Sequence, residues 1–304
     1  MGCIASQALE LTLVTASGEC FTLSRQQDER RFRAAAVSLG ALGILSQVSL
    51  EISPAYRLSE VRRRVPIEEC LAGAAALAGR HRHFELFWFP HADLALTKTM
   101  DLVPAGEQPP SRTRSFLTNL LLENLALWMA CKVSRLRPAW TPAINAFCAR
   151  TLDESEYLGP PHRIFPSPRL VRFHEMEYAV PAERGPDCLR ELREFIIRRK
   201  LPVSFPIEYR YVRADDLFLS PFFGRDSATL SINVFHPNTY EEYFDGAEAI
   251  FHNHAGRPHW GKEHKAGPAY LRRVYPHWDD FLQIREELDS GGRFLNPHLR
   301  GLFP

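Results

Sequence analysis

Glu208 and Arg210 stand two residues apart in a stretch, 203–212, whose alternation reads as a β-strand. Residues i and i+2 of a strand point to the same side, so one face presents a carboxylate and a guanidinium together. That pair suits polyol recognition: the carboxylate accepts from a sugar hydroxyl and the guanidinium donates to an oxygen. A structural ion pair on an exposed strand fits the same spacing. A second group is the run from His252 to His264, with four histidines in thirteen residues. It lacks H-E-x-x-H, and Gly256, Pro258 and Gly261 mark it as a loop, so no metal site is expected. A loop that brings the cation of Lys262 and the ring of Trp260 to a cofactor is the better reading. A histidine side chain can exchange a proton near neutral pH, so His236 and His259 are candidates for proton transfer. A third group is Ser38-Leu39-Gly40-Ala41-Leu42-Gly43-Ile44. Its two glycines let backbone approach a flat or phosphorylated ligand, although a tight helix-to-strand turn needs them equally.

These residues need elements to hold them. Alternation of Leu9, Leu11 and Leu13, a Ser17-Gly18 turn and the stretch 19–23 predict a hairpin. A helix over 28–36 and a strand over 47–52 follow. Strand 56–64, helix 66–78 and strand 83–89 make a β-α-β unit. Strand 170–180, helix 186–200 and strand 203–212 make another, with a further strand at 229–235. The expected fold class is α+β: a large antiparallel sheet with covering helices, a duplicated ferredoxin-like unit. A helix at 278–288 and an apolar, Pro-broken tail close the chain.

Between the units lies a Pro/Gly/Ser-rich linker, 103–112, and an apolar helix, 115–133, with Leu120, Leu121, Leu122, Leu125, Leu127 and Trp128. Asn119, Glu123 and Asn124 interrupt it, so it is a poor transmembrane span. Packing on the domain or a partner, or peripheral membrane contact flanked by Lys132, Arg135 and Arg137, are both open. Such a helix is expected to leave part of its apolar face exposed.

The 304 residues suffice for two domains, and 45% hydrophobic with 24% charged is the balance of a folded protein. Thirty-seven basic against thirty-six acidic residues leave a net charge of +1, which argues against a dedicated nucleic-acid binder. No two of the six cysteines are in C-x-x-C spacing. No charged and then apolar leader opens the sequence, so a secretory signal is not expected and a cytoplasmic or membrane-associated location is.

The segment Ser38 to Ile44, the strand Phe173-His174-Glu175-Met176-Glu177-Tyr178-Ala179-Val180-Pro181, Glu208-x-Arg210, Arg257-Pro258-His259-Trp260-Gly261-Lys262 and Phe294-Leu295-Asn296 occur in that order. Together they resemble the sugar-lactone oxidase branch of the vanillyl-alcohol oxidase flavoprotein superfamily. The resemblance implies FAD as cofactor and oxidation of a CH-OH group of a sugar lactone or polyol, with oxygen or another acceptor. It implies catalytic roles for Glu208, Arg210 and Lys262, with Glu208, Arg210 and His236 at the substrate. It places Ser38, Gly40, Gly43, Ile44, His259, Trp260 and Lys262 at the cofactor. It further implies that residues 1–55 are the carboxyl-terminal remnant of an FAD-binding domain, whose earlier part the sequence lacks, and that 56–304 form the substrate domain. An inactive fragment and a non-enzymatic interaction protein of the same fold are the rival expectations.

Overall fold

The computed structural model describes residues 1–103, 116–152, 154–166 and 170–303, the side chains of 116–123 excepted. Most of the expected linker at 103–112 lies outside the described residues. Strands β1 (Ala8–Val14), β2 (Cys20–Ser24) and β3 (Ile44–Leu50) form a small antiparallel sheet in the order β2-β1-β3, with helix α1 (Glu29–Ala35) between β2 and β3. The Asp28 carboxylate caps α1, accepting from the Arg31 amide at 3.2 Å.

The second sheet is built from a repeated β-α-β-β unit. Its first copy is β4 (Leu58–Pro66), α2 (Ile67–Arg80), β5 (His83–Trp88) and β6 (Leu94–Leu102). Then come α3 (Phe116–Leu136), α4 (Thr141–Thr151), β7 (Glu156–Gly159) and α5 (Pro161–Ile164). The second copy is β8 (Phe173–Pro181), α6 (Gly185–Arg199), β9 (Ile207–Val212) and β10 (Ser227–Phe235). The chain finishes with α7 (Glu241–Asn253), β11 (Arg257–Pro258), α8 (Pro268–Val274), α9 (Trp278–Leu288) and α10 (Pro297–Leu302).

The eight strands run in the order β11-β8-β10-β9-β5-β6-β4-β7, and every neighbouring pair is antiparallel. In each copy the third strand inserts between the first two, giving β4-β6-β5 and β8-β10-β9, and the copies join through β5 and β9. This is the duplicated ferredoxin-like arrangement, with helices on one side of a large antiparallel sheet.

The two faces of this sheet differ in kind. Met176, Tyr178, Ala228, Leu230, Ile232, Ile207, Tyr209, Leu86 and Trp88 lie on one face, and all are buried. α2, α6 and α7 cover them, for example with Leu71, Leu189, Leu192 and Phe251. Each such side chain contributes about 1.5–3 kcal/mol when fully buried. Gly246 of α7 lies where an added Cβ would strike the Phe195 ring at 2.1 Å, so a side chain there would push α6 and α7 apart. The alternate residues face the other way, and most are polar.

A second core joins the small sheet to the end of the chain. Leu11, Leu13, Phe32 and Leu42 pack with Phe281, Ile284, Leu299 and Phe303. Two local expectations change. The histidine run is not a single loop: His252 lies in the last turn of α7, and β11 takes up Arg257 and Pro258. The tail is not irregular throughout: Pro297 opens α10, and Asn296 caps it by accepting from the Leu299 amide at 2.8 Å. β6, α4 and α7 go beyond the elements expected from periodicity.

Candidate active site

The polar face is organised in rows across the strands. Ser231 of β10 stands between Glu177 of β8 and Glu208 of β9. One step along, Thr229 is opposite Arg210, and Arg210 is opposite Glu85 of β5. One step the other way, Asn233 is opposite Glu175. Strand periodicity puts all of these on the side away from α2, α6 and α7.

Arg210 is the centre of this face. Its guanidinium is 3.6 Å from the Glu177 carboxylate and 3.7 Å from that of Glu208. Burial opposes its charge, but the carboxylates of Glu177, Glu208, Glu85 and Glu175 outweigh that and hold it firmly cationic. The side chain is still 39% exposed, so it is not sealed from a ligand.

Lys262 reaches the same face from the loop after β11. Its ammonium pairs with the Glu175 carboxylate, which also accepts from the Ser231 hydroxyl at 2.7 Å. Glu175 and Glu177 are i and i+2 on β8, so Lys262 and Arg210 are held on one side of the sheet by adjacent acids. Backbone bonds seat the loop: His259 N donates to Glu177 O at 2.9 Å and Glu263 N to Glu175 O at 3.0 Å. An open depression of about 510 Å³ lies at the lysine end, lined by Phe173, Glu175, Trp260 and Lys262 among others. Glu208 and Arg210 lie outside its lining.

The remaining expected residues have defined local partners. Trp260 donates from Nε1 to Leu219 O at 2.7 Å and stacks on Tyr275 at 5.1 Å, so its ring pins the lysine loop to the second core. His259 Nδ1 accepts from the Gly261 amide at 3.1 Å. His236 follows β10 and is exposed; its Nδ1 is 3.1 Å from His174 Nε2, and His174 Nδ1 is 2.7 Å from Glu263. The carboxylate only accepts, so in neutral rings His174 carries its proton on Nδ1 and accepts from His236 Nδ1. His236 Nε2 is then the ring's acceptor. Ser38 is buried, and its carbonyl accepts from the Ala41 amide at 2.9 Å. Gly40 (φ +76°) turns the chain in open space, whereas a Cβ on Gly43 (φ +147°) would meet Val14 O at 2.4 Å. Ile44 is exposed at the start of β3.

Glu175 and Glu177 belong to a strand that carries the family resemblance, whereas Ser231 and Asn233 complete the face but carry no signal on their own in the sequence. Their part becomes visible only when register sets three strands side by side. Among the described residues no group of His, Cys, Asp or Glu is arranged to hold a metal ion. No helix among them is long and apolar enough to cross a membrane.

Comparison with known proteins shows the family and the fold. The chain is 38% identical to L-gulono-1,4-lactone dehydrogenase of Mycobacterium tuberculosis over 298 residues, 98% of this chain and 68% of that protein. It is 30% identical to L-gulonolactone oxidase of Bos taurus over 309 residues, 99% of this chain and 70% of that protein. Among solved structures, a solvent-stable cholesterol oxidase superposes with a TM-score of 0.82 at 19% identity, covering 100% of this chain and 70% of that one. A xylooligosaccharide oxidase from Myceliophthora thermophila superposes at 0.61 and 13% identity, covering 97% and 67%. These two share the fold. Residues 48–302 match the D-arabinono-1,4-lactone oxidase family, and the chain belongs to that family of FAD-dependent oxidoreductases acting on sugar lactones and alditols.

Proposed function

We propose that this protein oxidises a carbinol of a neutral sugar 1,4-lactone, with oxygen as acceptor, on the polar face centred on Arg210. The observation that carries this reading is the surplus of acceptors there: Glu85, Glu175, Glu177 and Glu208 surround Arg210 and Lys262. Four carboxylates around two cations repel an anion and accept from hydroxyls. A lactone is neutral and rich in hydroxyls, whereas its hydrolysed acid is an anion.

The residues suit a flavin as well as a sugar. Asn233 is 5% exposed, and its Oδ1 has no hydrogen-bond partner. A buried acceptor without a donor is costly, and a flavin ring N–H or a sugar hydroxyl supplies one. Lys262 would offer a bound flavin a fixed cation that stabilises negative charge on the reduced ring. When bound, FAD supplies the hydride acceptor. The chain's own work is to hold the substrate. Glu208 accepts from a ring hydroxyl. Arg210 donates to the carbinol or lactone oxygen and stabilises negative charge that develops on it. His236, seven residues beyond Thr229 along the chain and outside the lining of the depression, has no step in this scheme. In this reading residues 1–55 and the carboxyl-terminal helices form the unit that faces the cofactor, and the eight-stranded sheet is the substrate unit.

The test is the protein purified with FAD and assayed on L-gulono- and D-arabinono-1,4-lactone, with oxygen and with a dye as acceptor. Arg210→Ala is expected to lower kcat by about 10²–10³ while the bound-flavin absorbance stays. Full turnover in that variant overturns the assignment of Arg210. Loss of flavin from it gives Arg210 a structural role instead, and no flavin uptake by the wild-type chain overturns the catalytic reading.

A further inference from the structure

Lys262 and Glu263 straddle the outer edge of β8. β11 pairs with Ala179 and Tyr178 there, and the loop that follows continues along the same edge: His259 N donates to Glu177 O and Glu263 N to Glu175 O. Neighbouring side chains of an extended chain leave on opposite faces. Lys262 goes to the polar face and pairs with Glu175. Glu263 goes to the helix-covered face, where His174 stands opposite Val234, and its carboxylate accepts from His174 Nδ1 at 2.7 Å. Two consecutive loop residues are thus matched to two consecutive residues of β8, one pair on each side of the sheet.

Three elements build the Glu263 end. His174 of β8 stacks on Tyr240, which immediately precedes α7, with ring centroids 4.3 Å apart and planes 28° apart. The Glu263 carboxylate also faces the Tyr240 hydroxyl and holds that phenol above its ordinary range. His236, just after β10, gives its Nδ1 proton to His174 Nε2 at 3.1 Å, which leaves the proton of His174 on Nδ1, aimed at Glu263. The His174 and Glu263 side chains are 27% and 40% exposed, and so exposed a pair adds little stability. Its effect is on direction. A lysine carries its charge on a flexible four-carbon stem, so the place of the ammonium depends on its backbone and its partner. Trp260 holds the loop two residues before Lys262, and Glu263 holds it one residue after. Released from His174, Glu263 is a second acid free to compete with Glu175 for the ammonium.

We propose that His174 and Glu263 are positioning residues for Lys262, with His236 fixing the tautomer of His174: a clamp on one face of the sheet sets the cation on the other. The consequence for turnover rests on the reading of Lys262 as the cation that serves the flavin.

The experiment is acetylation of the full chain with acetic anhydride, read lysine by lysine by mass spectrometry, with the exposed Lys200 as reference. His174→Phe keeps a ring on Tyr240 and loses the donor, and Lys262 should then be acetylated about three- to tenfold faster. His174→Asn keeps a donor near the place of Nδ1, and its Lys262 should stay within about twofold of wild type. Glu263→Ala, a change at an exposed side chain, should reproduce His174→Phe and decides the matter if the histidine variants fold poorly. A wild-type rate in Glu263→Ala overturns the proposal. So does His174→Asn departing as far as His174→Phe, the result expected if His174 only packs on Tyr240. In the FAD-loaded protein, Glu263→Ala should lower kcat about tenfold with the lactone KM within about twofold of wild type, because the cation serves the ring and not the sugar. The acetylation needs neither flavin nor lactone, so the clamp and the lactone reading can each fail without the other.

Discussion

Single residues here are governed by what burial does to their polar groups. His83 on β5 stacks edge-on with Phe165 at 5.0 Å, and its Nε2 is buried without a partner. Burial, helped by the neighbouring Arg82, pushes its pKa from 6.5 down to about 4. The folded protein therefore holds it neutral while the unfolded chain takes up a proton below 6.5. A depressed folded pKa contributes stability above the unfolded value and loses it as pH falls. Between pH 6.5 and 4 the native state should lose up to roughly 3 kcal/mol from this group. Urea midpoints measured across that range check it, and His83→Phe should flatten this part of the pH profile. Tyr178 shows the opposite device. Its hydroxyl donates to Glu248 at 2.6 Å, and Glu248 also accepts from the Lys265 amide at 2.7 Å, three residues beyond Lys262. Burial and the adjacent carboxylate push the phenol far above its ordinary range. Tyr178→Phe removes a donor from a buried acid. It is expected to cost about 1–3 kcal/mol by denaturant unfolding.

At the scale of elements, the regular pieces were legible because their periodicity is strong. α6 carries Leu189, Leu192 and Ile196 on one stripe, and β9 alternates Ile207 and Tyr209 with Glu208 and Arg210. Glu208 and Arg210 could be read as a same-face pair for that reason alone. Glu175 and Glu177 are a same-face pair by the same periodicity, but that they face Arg210 and Lys262 comes from the register of β8 on β10, a pairing that spans more than fifty residues. β6 was hidden because Lys98 and Asp101 interrupt its apolar run; Lys98 is buried against Glu60 at 3.2 Å, a partner on another strand. α4 was hidden by its Pro142 and by a buried face that is polar. That face makes a test. Asn145 donates to both Pro90 O and Val203 O at 2.8 Å, tying α4 to two connections of the large sheet. Asn145→Ala strands two carbonyls and should lower stability by about 1–3 kcal/mol. It should also raise hydrogen exchange in α4 while β8 to β10 stay protected.

Among the described residues the chain visits the two main cores in the order small, large, small. The first fifty residues build a three-stranded sheet whose buried side chains share a core with the end of the chain. The last forty return to complete it: Trp278, Phe281, Ile284 and Phe303 pack among Leu13, Phe32 and Leu42. The loop after β9 enters this second core through Phe218 and Leu219, and Trp260 binds Leu219 O from the lysine loop. Position of the lysine loop is therefore tied to the second core as well as to β8. The carboxyl-terminal segment was legible as an apolar tail, but nothing local says which core it joins, because that contact links residues nearly three hundred apart. Phe303 is 1% exposed, and truncation before Phe294 removes it with Leu295, Leu299 and Leu302. The loss of four buried side chains, each worth about 2–5 kcal/mol, exceeds what one small sheet holds in reserve. Hydrogen exchange should then show β1, β2 and β3 unprotected while β8, β9 and β10 keep their slow amides, since α2, α6 and α7 still cover that sheet. Equal loss of protection in both sheets would mean that the two cores unfold as one unit, and that Lys262 and Arg210 are set by a single cooperative structure.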